Sequence, residues 1–95
     1  MNNTSPAAFT VDEISLMLQN DKPTLNGPVE CNGCRRYGNA FVIMGACTNV
    51  IRRHLRETVQ KASIDAFVNQ FLDKCTEGDY NELLLACTKY VTFNL

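Results

Sequence analysis

Cysteine and histidine offer the widest chemistry in this chain, and their spacing decides which of it is open. The cysteines are Cys31, Cys34, Cys47, Cys75 and Cys87, and His54 is the one histidine. Cys31-Asn-Gly-Cys34 sets two thiols across a Gly-containing turn. Such a turn aims two thiolates at one point and supplies half of a common zinc site. A structural zinc needs two more ligands, and the candidates are Cys47, His54, Cys75 and Cys87. No second pair among them has ligand spacing. Cys47 and His54 stand two helical turns apart, roughly 10 Å along the axis, too far to share one ion. Zinc held by Cys31 and Cys34 is therefore one expectation, dependent on later helices for its other ligands. A reversible disulfide is another, although the βαβ setting of thioredoxin-like motifs is lacking. The plain alternative is two loop thiols, or one cysteine packed at a helix entrance.

Catalysis is not expected. Nucleophilic or acid–base work would need His54 beside a thiol or a carboxylate. Its neighbours along a helix are Val50 and Glu57, and Cys47 lies too far along. No Gly-rich phosphate loop, GxSxG or paired-carboxylate motif occurs. Cofactors are not expected, zinc excepted.

Binding is better served. The formal net charge is −1, which gives no overall pull toward nucleic acid or acidic membranes. The charge is unevenly placed, however. Residues 1–34 carry −3, residues 35–61 carry +5 and residues 62–95 carry −3. Arg52, Arg53 and Arg56 share the polar face of a helix; Arg35 and Arg36 precede it and Lys61 follows. Such a surface binds phosphates or an acidic protein partner. The competing expectation is a solvated face paired with Glu57, Asp65 and Asp73.

These side chains must be positioned by helices. Residues 1–8 have the composition of a disordered tail, and residues 9–95 that of one helical domain. Thr10 with Glu13 forms a capping box, with Phe9 and Ile14 as its staple, for a helix over Val11–Asn20. Val11, Ile14, Met17 and Leu18 share its inner face, and Leu16 lies outside. Asn20-Asp21-Lys22-Pro23 ends it and opens a long connection over residues 21–36. A long central helix is predicted over Tyr37–Ala62. Its stripe of Tyr37, Phe41, Met44, Thr48, Ile51, Leu55, Thr58 and Ala62 is flanked by Ile43, Cys47, Val50 and His54. Ser63 caps a third helix whose Ile64, Phe67, Val68, Phe71, Leu72 and Cys75 follow the amphipathic template. Gly78 suits a left-handed cap, and Asp79 with Glu82 opens a fourth helix. Tyr90 to Leu95 are rich in β-forming residues, so the last turn is extended. Little or no sheet is expected.

The fold expected is all-α: about four helices bundled around the central one, and dimeric. Phe41, Val42, Ile43 and Met44 are consecutive and cannot all face one thin layer. Phe41, Val42, Met44 and Gly45 are accordingly assigned to a homodimer interface, with two central helices crossing near Gly45. No apolar run approaches the ~18 residues of a membrane span. The amino terminus lacks a secretory pattern, and reduced thiols fit a cytoplasmic or nuclear setting. The function expected is a non-enzymatic interaction module, a regulator, adaptor or inhibitor of an unidentified protein partner. RNA or DNA binding through the arginine face and a zinc-stapled module are the alternatives.

Overall fold

The computed structural model describes residues 6–26 and 40–94, with the side chains of Ala40 and Phe41 excepted. Within them the chain is mostly helical with one small sheet. The order is α1 (Val11–Asn20), β1 (Thr24–Asn26), α2 (Ala40–Leu55), α3 (Lys61–Glu77), α4 (Tyr80–Tyr90) and β2 (Thr92–Asn94). Cys31, Cys34, Arg35, Arg36 and the predicted beginning of the central helix lie outside the described residues.

The two capping boxes form as the residue types require. Thr10 Oγ1 accepts from the Glu13 N–H at 3.1 Å, and Glu13 Oε1 accepts from the Thr10 N–H at 2.8 Å. Asp79 and Glu82 repeat the exchange at α4, at 3.0 and 3.1 Å. Each satisfies N–H groups that a helix start leaves open, and such a cap contributes about 1 kcal/mol. Gly78 serves the second box in a way its sequence position did not suggest. Its φ of −123° is not left-handed. A Cβ there would instead run into the Glu82 side chain, which must lie close to cap Asp79.

The core is apolar throughout. Ile14 and Leu18 from α1, Cys47 and Ile51 from α2, Phe67, Val68, Phe71 and Cys75 from α3, and Leu83 and Cys87 from α4 are all buried. Each large aliphatic or aromatic side chain among them contributes roughly 1.5–3 kcal/mol by leaving water. Tyr90 closes the α1 side. Its ring meets Phe67 edge-on at 5.2 Å, and its hydroxyl lies 3.0 Å from Ser15 Oγ. Leu16 and Leu85 face solvent, as their off-stripe positions predict.

Three expectations are corrected. First, the central position belongs to α3 and α4, each of which packs against the other three helices; α2 packs against α3, α4 and β1. Second, α2 stops at Leu55 and not at Ala62. Arg56–Thr58 form a turn, after which Val59 is buried and joined to the segment before α1. The Ala7 N–H donates to Thr58 O at 3.0 Å, and the Gln60 N–H donates to Ala7 O at 2.9 Å. Ala7, assigned to the tail, is thus paired. Burial of Val59 outweighs the helix propensity of the Arg-Glu-Thr turn. Gln60 takes the cap position of α3, and Ser63 lies inside that helix.

Third, a sheet exists. β1 and β2 pair in parallel with Thr24, Leu25 and Asn26 opposite Thr92, Phe93 and Asn94. Pro23 O accepts from the Thr92 N–H at 2.9 Å, and Asn94 Nδ2 donates to Asn26 Oδ1 at 2.9 Å. Leu25 and Phe93 are half-buried against the helical core. The pair covers that end of the core with alternate side chains inward.

Candidate cationic groove

The turn that ends α2 places its arginines against the start of α3. Arg52 Nη1 donates to Asp65 Oδ1 at 2.7 Å. Lys61, one helical turn before Asp65, donates to Oδ2 at 3.2 Å. The hydrogen bond from Arg52, then that from Lys61, holds the Asp65 carboxyl below the usual carboxylate range. Of the three acidic partners weighed for the arginines, only Asp65 is in place. Glu57 sits in the turn and Asp73 lies two helical turns beyond Asp65, roughly 12 Å away along α3. Among the described residues neither makes an ion pair.

Arg53 and Arg56 remain. Both are exposed, and neither has an ion-pair partner among the described residues. With Arg52 and Lys61 they line a groove of about 440 Å³ whose other lining residues are Asn49, Val59 and Ile64. Val59 and Ile64 are buried, so the groove has an apolar floor beneath a cationic rim. Gln60 gives α3 no side-chain cap, so the first N–H groups of α3 add partial positive charge on the same side. Among the described residues the lining carries no carboxylate, thiol or imidazole. A cationic rim of this kind suits anionic groups.

The structure therefore brings together Arg52, Arg53, Arg56 and Lys61, four of the six basic residues singled out. Arg35 and Arg36 fall outside the described residues. Asn49, Val59 and Ile64 were not anticipated as lining. Asn49 stands three and four residues before Arg52 and Arg53, a helical spacing that would have revealed it. Val59 needed knowledge of the turn.

Cys31 and Cys34, the expected zinc ligands, also lie outside the described residues. The other three thiols, Cys47, Cys75 and Cys87, are buried among α2, α3 and α4. Burial, with a smaller contribution from Cys87, pushes the Cys75 thiol up to about 12. Contact with the Cys47 sulfur, then burial, pushes Cys87 up as well. Among the described residues no three His, Cys, Asp or Glu side chains are placed to hold one metal ion. His54 stands apart from these thiols at the surface, with Nε2 3.6 Å from Asp21 Oδ2.

The assigned dimer residues part company. Met44 is buried in its own core and offers no surface to a second subunit. The bundle absorbs it, along with Ile43, because α4 reaches α2. Val42 is half-buried, and the Phe41 side chain lies outside the described residues. Gly45 is exposed, with open space where a Cβ would stand.

No protein-family model, no curated protein and no solved structure matches the chain. None of the described helices is long and apolar enough to cross a membrane.

Proposed function

We propose that the protein is a non-enzymatic interaction module, a regulator, adaptor or inhibitor whose cationic groove holds an acidic segment of a protein. One observation carries this: Arg53 and Arg56 stand exposed at the groove with no ion pair among the described residues. Arg52 and Lys61 are engaged by Asp65 and belong to the frame. The apolar floor of Val59 and Ile64 suits a peptide whose carboxylates flank an aliphatic side chain. In this role the protein acts inside the cell as a homodimer. Fluorescence anisotropy with a labelled oligoglutamate peptide provides the test. Binding at low salt, weakened at least ~10-fold by Arg53→Glu with Arg56→Glu, supports the role. Equal binding by wild type and variant, or none by either, overturns it.

A second reading has an observation of its own. The uncapped N–H groups at the start of α3, beside free arginines, also suit a phosphate. Binding of RNA or DNA would then fall steeply with salt. A gel-shift experiment at low salt with no retention of either nucleic acid eliminates it.

A further inference from the structure

We propose that the anion the groove selects is a phosphate monoester, carried as phosphoserine or phosphothreonine within the acidic segment. This rests on the groove being a site for an anionic stretch of protein, and it names the group that stretch presents. Arg52, Arg53, Arg56 and Lys61 line the groove, and Arg52 and Lys61 share the carboxylate of Asp65, which leaves a surplus of three positive charges there. One glutamate side chain offsets one of them. A phosphate monoester carries about −1.5 to −2 at pH 7 and offsets two within a single group. Arg53 stands in the last turn of α2 and Arg56 opens the turn that follows, so the two unopposed charges are neighbours. Like charges held side by side favour a ligand that meets both at once.

The donors match as well. Both free cations are arginines, and a guanidinium presents a planar fork of N–H groups that takes phosphate oxygens two at a time. Asn49, one helical turn before Arg53, is exposed at the same lining and adds an amide donor. A phosphate monoester offers three strong acceptor oxygens, one to each of these side chains, whereas a carboxylate offers two. The phosphates of nucleic acid are diesters, each with one charge and two free oxygens, and they match this donor set less well.

Fluorescence anisotropy with the full chain tests the assignment, using labelled oligoglutamate and the same peptide with one central phosphoserine. At about pH 7.5 and low salt the phosphopeptide is expected to bind at least ~10-fold more tightly. Arg53→Glu with Arg56→Glu should weaken it at least ~10-fold. Arg53→Lys with Arg56→Lys keeps the charge, removes the forks and should reduce the preference. Circular dichroism first establishes that both variants are helical. Acidification gives a second readout. The second phosphate proton binds near pH 6, so at about pH 5.5 only about a quarter of the phosphopeptide keeps both charges, and its advantage should shrink by about 4-fold. Acidification does not discharge arginine or lysine. Asp65, held below the usual carboxylate range, stays ionised in this window. His54 and Glu57 flank the arginines in sequence without lining the groove, and a proton gained by either strengthens the attraction for both peptides.

Equal affinity of the two peptides, both lost in the charge-reversed variant, overturns the phosphate monoester and leaves the acidic segment standing. A preference unchanged by acid or by charge reversal also overturns it. Binding of neither peptide overturns the groove as well. A single-stranded oligonucleotide that binds as tightly as the phosphopeptide and competes with it overturns the assignment in favour of nucleic acid.

Discussion

Arg52 and Asp65 meet at 2.7 Å between Nη1 and Oδ1, and this pair fastens the end of α2 to the first turns of α3. Lys61 takes the other carboxylate oxygen. Of this pair Arg52 lines the cationic groove, and Asp65 holds it in place from behind. The pair also divides the labour among four cations: Arg52 and Lys61 hold the frame, and Arg53 and Arg56 face outward.

The depressed Asp65 carboxyl predicts a pH dependence. The unfolded chain binds this proton near the ordinary value of 3.8, and the folded protein binds it only at lower pH. Stability from this group is therefore complete above that value and is lost as pH falls through the folded value. Thermal melts should show wild type and Asp65→Asn converging as pH drops below about 4. A constant gap between them down to the acid limit would contradict the assignment.

The arginines should differ in what they stabilise. Arg53→Ala and Arg56→Ala change urea-unfolding stability by less than about 0.5 kcal/mol each, as exposed substitutions do. Arg52→Ala lowers stability more than either, because it cuts the tie between α2 and α3 and leaves Asp65 with Lys61 alone. Equal effects for the three would show that the Arg52–Asp65 pair has no structural role.

Gly45 lies inside α2, and no described residue comes within contact of a Cβ placed there. Alanine there restricts the unfolded chain and suits the helix, so Gly45→Ala should stabilise by about 0.5–1 kcal/mol. Denaturant titration reads it directly. A loss of stability would show that a close neighbour needs the bare backbone at this position.

Thr48 Oγ1 is shut away from solvent without a hydrogen-bond partner among the described residues. An unsatisfied buried hydroxyl costs about 1–3 kcal/mol. Thr48→Val keeps the shape and removes the hydroxyl, and it should raise stability by about 1 kcal/mol. A destabilised valine variant in the same titration would reveal a bond that the hydroxyl makes in solution.

The core thiols should be inert in the native state. With Cys75 at about 12, the thiolate fraction at pH 8 is on the order of 10⁻⁴, and thiolate is the reactive species. Mass spectrometry after iodoacetamide should find Cys47, Cys75 and Cys87 unmodified in native protein and modified in denaturant. Rapid native labelling at any of the three would mean that the α2–α3–α4 core opens readily.

What could be seen in advance was local. Both capping boxes were legible because their partners stand three residues apart, and the buried face of α3 because its period repeats through Cys75. The end of α2 was not. Arg56, Glu57 and Thr58 include no Gly or Pro, and what stops the helix is Ala7, far off in sequence, pairing beside Val59. The parallel strands were hidden for the same reason: the β-forming Thr92 and Phe93 were noticed, but their partners lie across most of the chain. Four groove cations were legible by helical spacing. The groove itself was not, since its floor depends on the turn at Val59. Met44 went to the wrong surface because α2 was taken as under-covered, whereas α4 reaches it.

The β1–β2 ladder also bears on when the fold can form. Its partners are separated by most of the domain, as are Ser15 and Tyr90, and Lys22 and Thr88. Contacts of such high sequence separation slow folding, since a large loop must close before they are rewarded. On the ribosome, the first helix and strand emerge long before residues 88–94 exist to receive them. Ile14, Leu18 and Leu25 then wait with their apolar faces uncovered, within reach of chaperones and of neighbouring nascent chains. Completion of this domain therefore waits for residues 88–94, and a ribosome stalled before Tyr90 would display an open, adhesive half-fold.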